Sequence, residues 1–195
     1  MEVLAIERMR QGRLEAAIPM MRRAVQIKSK TLGPKHRDTL FPLYTLAIME
    51  LQSGRADIAE ALFLRASDGF KETLGEDFYM RFVALGASAA AADRQGKFNV
   101  AADANKQALA GLQKTLPPNH RDIIVSEIGL IRRHILTGNP QEAALLAAKT
   151  LDKSEAGLGG ENIYTLVAGL ELAWAEIAKG NIDAGTQRLA GTEAK

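Results

Sequence analysis

The chain has 195 residues, 47% of them hydrophobic and 25% charged, with 25 basic against 23 acidic side chains and a formal net charge of +2. That balance offers no electrostatic footprint for nucleic acid or an anionic membrane surface. The absence of cysteine excludes disulfides, thiolate metal sites and thiol nucleophiles. No stretch is long and apolar enough for a transmembrane helix, and the N-terminus lacks a signal-peptide core, so a cytoplasmic protein is expected.

Glycine stands at positions 12, 54, 96, 138 and 180, always the same interval after the last. Leu32, Leu74, Leu116 and Leu158 keep the same period, as do Ala17, Ala59, Ala101 and Ala143. Three registers in phase mean one supersecondary unit copied head to tail. The reading is a single repeat array over 1–195. It comprises a partial repeat 1–11, repeats 12–53, 54–95, 96–137 and 138–179, and a partial repeat 180–195. Because both ends fall within a repeat and neither carries a polar cap, a fragment or covered ends are expected.

Residues 1–11 read as the end of a first helix, since Leu4-Ala5-Ile6 stands before Gly12 as Leu46-Ala47-Ile48 stands before Gly54. A second helix follows Gly12. Pro19 falls in its second turn, where a small kink or a slipped N-terminus is expected. Asp38 to Ser53 reads as the next first helix, with Leu40, Leu43, Leu46, Ala47 and Leu51 on one face. Asp38 or Thr39 is its expected cap, and Gly54 its left-handed stop. The following second helix is expected over Ala56–Leu74, burying Ala59, Leu62, Phe63, Ala66 and Phe70. Later repeats follow suit, with Asn139 before Pro140 and Asn181 after Gly180 as expected caps. Nothing alternates as a strand would. The fold expected is all-α: a right-handed solenoid of stacked helix-turn-helix repeats, about ten helices and no strands. Gly86, Gly129 and Gly169, inside first helices, are expected to tighten packing unevenly.

The motif Gly-x-x-x-x-Ala with a second alanine seven residues on occurs as Gly12/Ala17/Ala24, Gly54/Ala59/Ala66 and Gly96/Ala101/Ala108. It resembles the core of the tetratricopeptide repeat. The 42-residue period and the loop Leu32-Gly33-Pro34-Lys35-His36-Arg37-Asp38-Thr39 resemble the kinesin-light-chain type. The resemblance implies a protein- or peptide-binding scaffold whose first helices line a concave groove. Where that type often carries paired asparagines, this chain has Tyr44-Thr45, Gly86-Ala87, Ile128-Gly129 and Leu170-Glu171.

By the repeat's phase the groove positions are mostly apolar, which points to a hydrophobic partner segment laid along them. The expected partner groove comprises Phe41, Tyr44, Ile48, Arg94, Ile128, Arg132, Leu170 and Trp174. Trp174, the sole tryptophan, is the expected hot spot, and Arg94 and Arg132 are candidate anchors for a carboxylate at the rim. The alternative role for the apolar positions is packing against neighbouring helices.

No catalytic constellation is legible. Glu50, Asp93 and Glu176 are scattered without a base or nucleophile. His36 and His120 fall in equivalent loops separated along the array, and His134 belongs in a helix core, so no metal site is expected. Gly157, Gly159 and Gly160 close a helix without forming a phosphate loop, and Arg22-Arg23 and Arg132-Arg133 are too short for a nucleic-acid track. The expectation is a non-catalytic protein- or peptide-binding scaffold without cofactor, nucleic-acid or membrane partner. The alternative is a structural, regulatory or self-association module that stacks on other domains, or on a second copy through uncapped ends.

Overall fold

A computed structural model describes residues 1–193, and side-chain surroundings through residue 190. The last two residues of the partial repeat 180–195 lie outside the described residues. Ten helices and no strand occur among the described residues: α1 (Glu2–Arg10), α2 (Leu14–Thr31), α3 (Arg37–Gln52), α4 (Ala56–Leu74), α5 (Tyr79–Arg94), α6 (Phe98–Thr115), α7 (Arg121–Leu136), α8 (Pro140–Leu158), α9 (Ile163–Ala178) and α10 (Ile182–Glu193). They fall into two compact units, Met1–Gly111 and Leu112–Lys195, with the boundary inside α6. Within unit 1 the helices from α1 to α5 pack each on the next, and within unit 2 those from α7 to α10 do the same, with α7 also against α9.

The alternation of 16-residue first helices with second helices of 18 or 19 residues follows the stop signals. Gly54 takes φ +84°, and its N–H closes on the Leu51 carbonyl at 3.2 Å while Arg55 N–H reaches Glu50 O at 3.0 Å. A side chain at that φ would be strained, which is why glycine recurs there.

The cap of α3 differs from the expected one. His36 occupies the N-cap position, and its Nδ1 accepts the Asp38 N–H at 3.1 Å. His120 does the same for α7 and Asn162 for α9. Histidine presents a ring nitrogen where Asn presents an amide oxygen, so the acceptor reaches the same N–H. Asn139 does not cap α8 with its side chain. Its amide instead donates to Thr137 Oγ1 at 3.0 Å. The Asn181 amide is likewise drawn to Glu176 Oε2 at 2.7 Å. Pro19 is accommodated without a slipped start: α2 begins at Leu14, one repeat before Ala56 of α4.

In unit 1 the core is built where first and second helices meet. Ala5, Ala17, Ile18, Met21, Leu46 and Met49 form one cluster, and Leu40, Leu43, Ala66, Phe70 and Ala84 another. Gly69 and Gly111 make close approach possible in second helices. A Cβ on Gly69 would stand 2.4 Å from Leu40 Cδ2, and one on Gly111 only 2.1 Å from the Phe82 ring. In the first helices, by contrast, a Cβ on Gly86 would meet Ala108 at an ordinary 3.5 Å, and one on Gly169 would meet Leu151 at 3.9 Å.

Unit 2 centres on Ile131, Ala143, Ala144, Ala147, Leu172 and Ala175, with Ile124, Ile128 and Ala168 forming a second cluster. Each unit also buries a carboxylate. In unit 1, Glu50 accepts from Arg22 Nη2 at 2.8 Å and Arg55 Nε at 2.5 Å. In unit 2, Glu127 accepts from Lys153 Nζ at 2.5 Å and Thr150 Oγ1 at 3.0 Å. A buried carboxylate is tolerable only with such partners.

Candidate functional site

The groove candidates divide into residues used inside their unit and residues left on its surface. In unit 1, Phe41 is half-buried, edge-on to Phe70 at 5.2 Å, with the Arg37 guanidinium over its ring. Tyr44 is half-buried, tilted against Phe63 at 5.4 Å, and packs on both the Leu40 and the Phe63 clusters. Ile48 packs against the cluster of Ala47, Ala59, Phe63 and Ala91. Arg94 is exposed, but its Nη1 donates to the Leu51 carbonyl at 2.7 Å, tying α5 to the end of α3.

In unit 2 the contrast is sharper. Ile128 is 6% exposed and belongs to the core with Ile124, Ala168, Leu151 and Val167. Leu170 is half-buried. Arg132 of α7 gives its Nε to Glu171 of α9 at 2.5 Å, linking successive first helices. Trp174, one turn beyond Glu171, is 62% exposed and forms no ring stacking or cation–π pair among the described residues. Leu136, 77% exposed, and Val125, 42% exposed, are further large apolar side chains on α7. The unit 2 first helices therefore carry exposed apolar surface, whereas the aromatic groove candidates of unit 1 are engaged in packing.

The rest of the surface carries little chemistry. No group of three or more histidine or acidic residues could hold a metal ion among the described residues. No described helix is long and apolar enough to cross a membrane. His36 and His120 sit at helix starts in different units. His134 is half-buried in α7. Three carboxyls are held below the usual range. Glu60 is lowered chiefly by its bond to Lys97, Glu76 chiefly by Lys71, and Glu176 chiefly by the Asn181 amide. Each belongs to a surface ion-pair or capping arrangement, and the lowered values follow from bonding to the charged form.

Two things were missed in the sequence. Glu50 in unit 1 and Glu127 and Glu171 in unit 2 are buried carboxylates, a role that only partners distant in sequence reveal. The Gly69 and Gly111 pair had a signal, since the two stand one full repeat apart.

Helical hairpins recurring at a constant period, each closing on a buried alanine, define an all-α repeat solenoid. Residues 4–72 match the tetratricopeptide repeat family. Two crystal structures of a Podosopora anserina protein described as a putative kinesin light chain with nearly identical TPR-like repeats are 25% identical to this chain. One covers 99% of this chain and 91% of its own at a TM-score of 0.82, the other 99% and 92% at 0.79. BtubC (BKLC) from P. vanneervenii shares the fold at 16% identity, covering 99% of this chain and 80% of its own with a TM-score of 0.79. No curated protein matches. The chain is similar to tetratricopeptide-repeat proteins, through the match over residues 4–72 and through repeats like those of the kinesin-light-chain structures. Repeats of this class generally mediate protein–protein interaction, and their fold is typically non-catalytic.

Proposed function

We propose that the protein is a non-catalytic scaffold that binds a protein or peptide segment on its first-helix face, with the array 1–195 acting as one recognition module. One observation carries this reading: Trp174, the sole tryptophan, lies 62% exposed on a first helix with no ring or cationic partner among the described residues. An indole left in water loses stabilisation that burial would give, and tryptophan supplies a large apolar area at low conformational-entropy cost when an interface forms. Leu136 and Val125 extend the apolar surface of the unit 2 first helices. Phe41, Tyr44 and Ile48 pack within unit 1 and Ile128 within unit 2, and Leu170 lies half-buried on α9.

Panning a displayed random peptide library against the full chain supplies a probe, and Trp174 emission reports its binding. Trp174→Ala should weaken a recovered peptide at least about tenfold with an unchanged melting temperature. Peptides that bind the Trp174→Ala protein as tightly as the parent would sink the groove reading.

A second reading, self-association or stacking on another domain, is favoured by the α1–α2 end of unit 1. There Met1, Val3, Ala24 and Ile27 line an open recess of about 260 Å³. Light scattering at rising concentration decides it: a constant monomer mass excludes self-association.

A further inference from the structure

We propose that Arg22 and Arg55 form an oxyanion site on unit 1, held in place by the buried Glu50 carboxylate, and that it takes a phosphate monoester presented by a partner. Glu50 of α3 is fully buried and divides its two oxygens between neighbouring elements. Arg22 Nη2 of α2 donates to Oε1 at 2.8 Å, and Arg55 Nε at the start of α4 donates to Oε2 at 2.5 Å. Both guanidinium side chains remain about half-exposed to water.

The repeat shows that two arginines are more than the fold needs. Glu176 stands three repeats after Glu50, and Asn181 three repeats after Arg55. There a neutral amide makes the same bond, Asn181 Nδ2 donating to Glu176 Oε2 at 2.7 Å. The buried Glu127 is served by the single cation Lys153, and Glu171 by Arg132, among the described residues. Position 22 becomes Leu64, Lys106 and Ala148 in the later repeats, so hairpin packing does not demand arginine there either.

The surplus has a definite chemistry. Sharing one carboxylate, the pair keeps a net positive charge in a fixed orientation, so much of the ordering cost of binding is already met. Glu50 leaves Nε and Nη1 of Arg22 and both Nη groups of Arg55 without a partner among the described residues. One guanidinium fork saturates a carboxylate, whereas a phosphate offers three acceptor oxygens and engages two guanidiniums at once. Arg55 also occupies the N-cap of α4, whose positive pole favours an anion. Glu15 and Asp57, in the first turns of α2 and α4, pair with neither arginine. The site lies within unit 1, so its test is independent of the Trp174 surface in unit 2.

The full chain is titrated with the peptide Gly-Ser-Gly in its phosphoserine and unmodified forms and with inorganic phosphate, following the arginine Nε–H resonances. Those of Arg22 and Arg55 should shift with the phosphoserine peptide and stay in place with the serine peptide. Arg55→Asn copies Asn181, so the bond to Glu50 and the melting temperature should hold while phosphopeptide binding falls at least about tenfold. Arg22→Gln, which leaves Glu50 paired with Arg55, should show the same loss. Arg65→Asn removes an exposed arginine of α4 that has no ion pair, and should leave binding within about twofold. Unmoved Arg22 and Arg55 resonances, or equal weakening by Arg55→Asn and Arg65→Asn, would overturn the site. Inorganic phosphate binding as tightly as the phosphopeptide would overturn the partner as its source.

Discussion

Leu40 Cδ2 occupies the space where a side chain on Gly69 would begin, since a Cβ there would come within 2.4 Å of it. The Phe82 ring takes the same liberty with Gly111, one repeat further on, at 2.1 Å. Helix propensity alone favours alanine over glycine by about 1 kcal/mol, whereas overpacking a core costs roughly 1–3 kcal/mol. Leu40 can swing a methyl group, but the rigid Phe82 ring must move as a whole. Gly111→Ala is therefore expected to destabilise by about 1–2 kcal/mol and Gly69→Ala by less. Urea unfolding midpoints give the ranking, and a Gly111→Ala protein as stable as the parent would contradict the close approach.

Glu127 is 1% exposed and meets Lys153 and Thr150 from α8. Removing it strands no fully buried cation, because Lys153 keeps partial access to water. The loss of the α7–α8 bonds and the cavity should still cost about 2–4 kcal/mol in Glu127→Ala. Glu176→Ala at the surface of α9 should stay within about 1 kcal/mol. Equal losses for the two would deny Glu127 its structural role.

Acid stability should depend on Glu60. Its carboxyl is lowered by the Lys97 bond at 2.8 Å, with the Gln95 amide at 2.7 Å adding to it. A lowered carboxyl stabilises the fold above the ordinary carboxylate range and loses that contribution as pH falls through the lowered value. In Lys97→Met the fall in urea midpoint between about pH 6 and about pH 3 should be shallower than in the parent. An unchanged slope would mean that the ion pair contributes nothing at this site.

The repeat made much of this fold legible before any coordinates. Ala17, Ala59, Ala101 and Ala143 are fully buried, and the second helix expected over Ala56–Leu74 has those limits. Such features repeat because local backbone and hairpin packing demand them in every unit. What escaped depends on particular partners. His36 as a cap is a matter of ring orientation, and Glu50 as a buried acid depends on Arg22, 28 residues away. Groove phase alone could not separate Ile128 from Trp174. Both occupy first-helix positions, yet Ile128 is covered by Ile124 and Ala168 while Trp174 meets no ring or cationic partner among the described residues.

That pair supplies the most direct test of the recognition surface. Thermal and urea unfolding of Trp174→Ala and Ile128→Ala should be measured beside their affinities for a peptide recovered by panning. Trp174→Ala should keep the parent's stability within about 0.5 kcal/mol and lose binding. Ile128→Ala should lose about 2–5 kcal/mol of stability. If Trp174→Ala instead unfolds early and binding falls only in proportion to the unfolded fraction, the exposed indole is not a recognition element and the account fails.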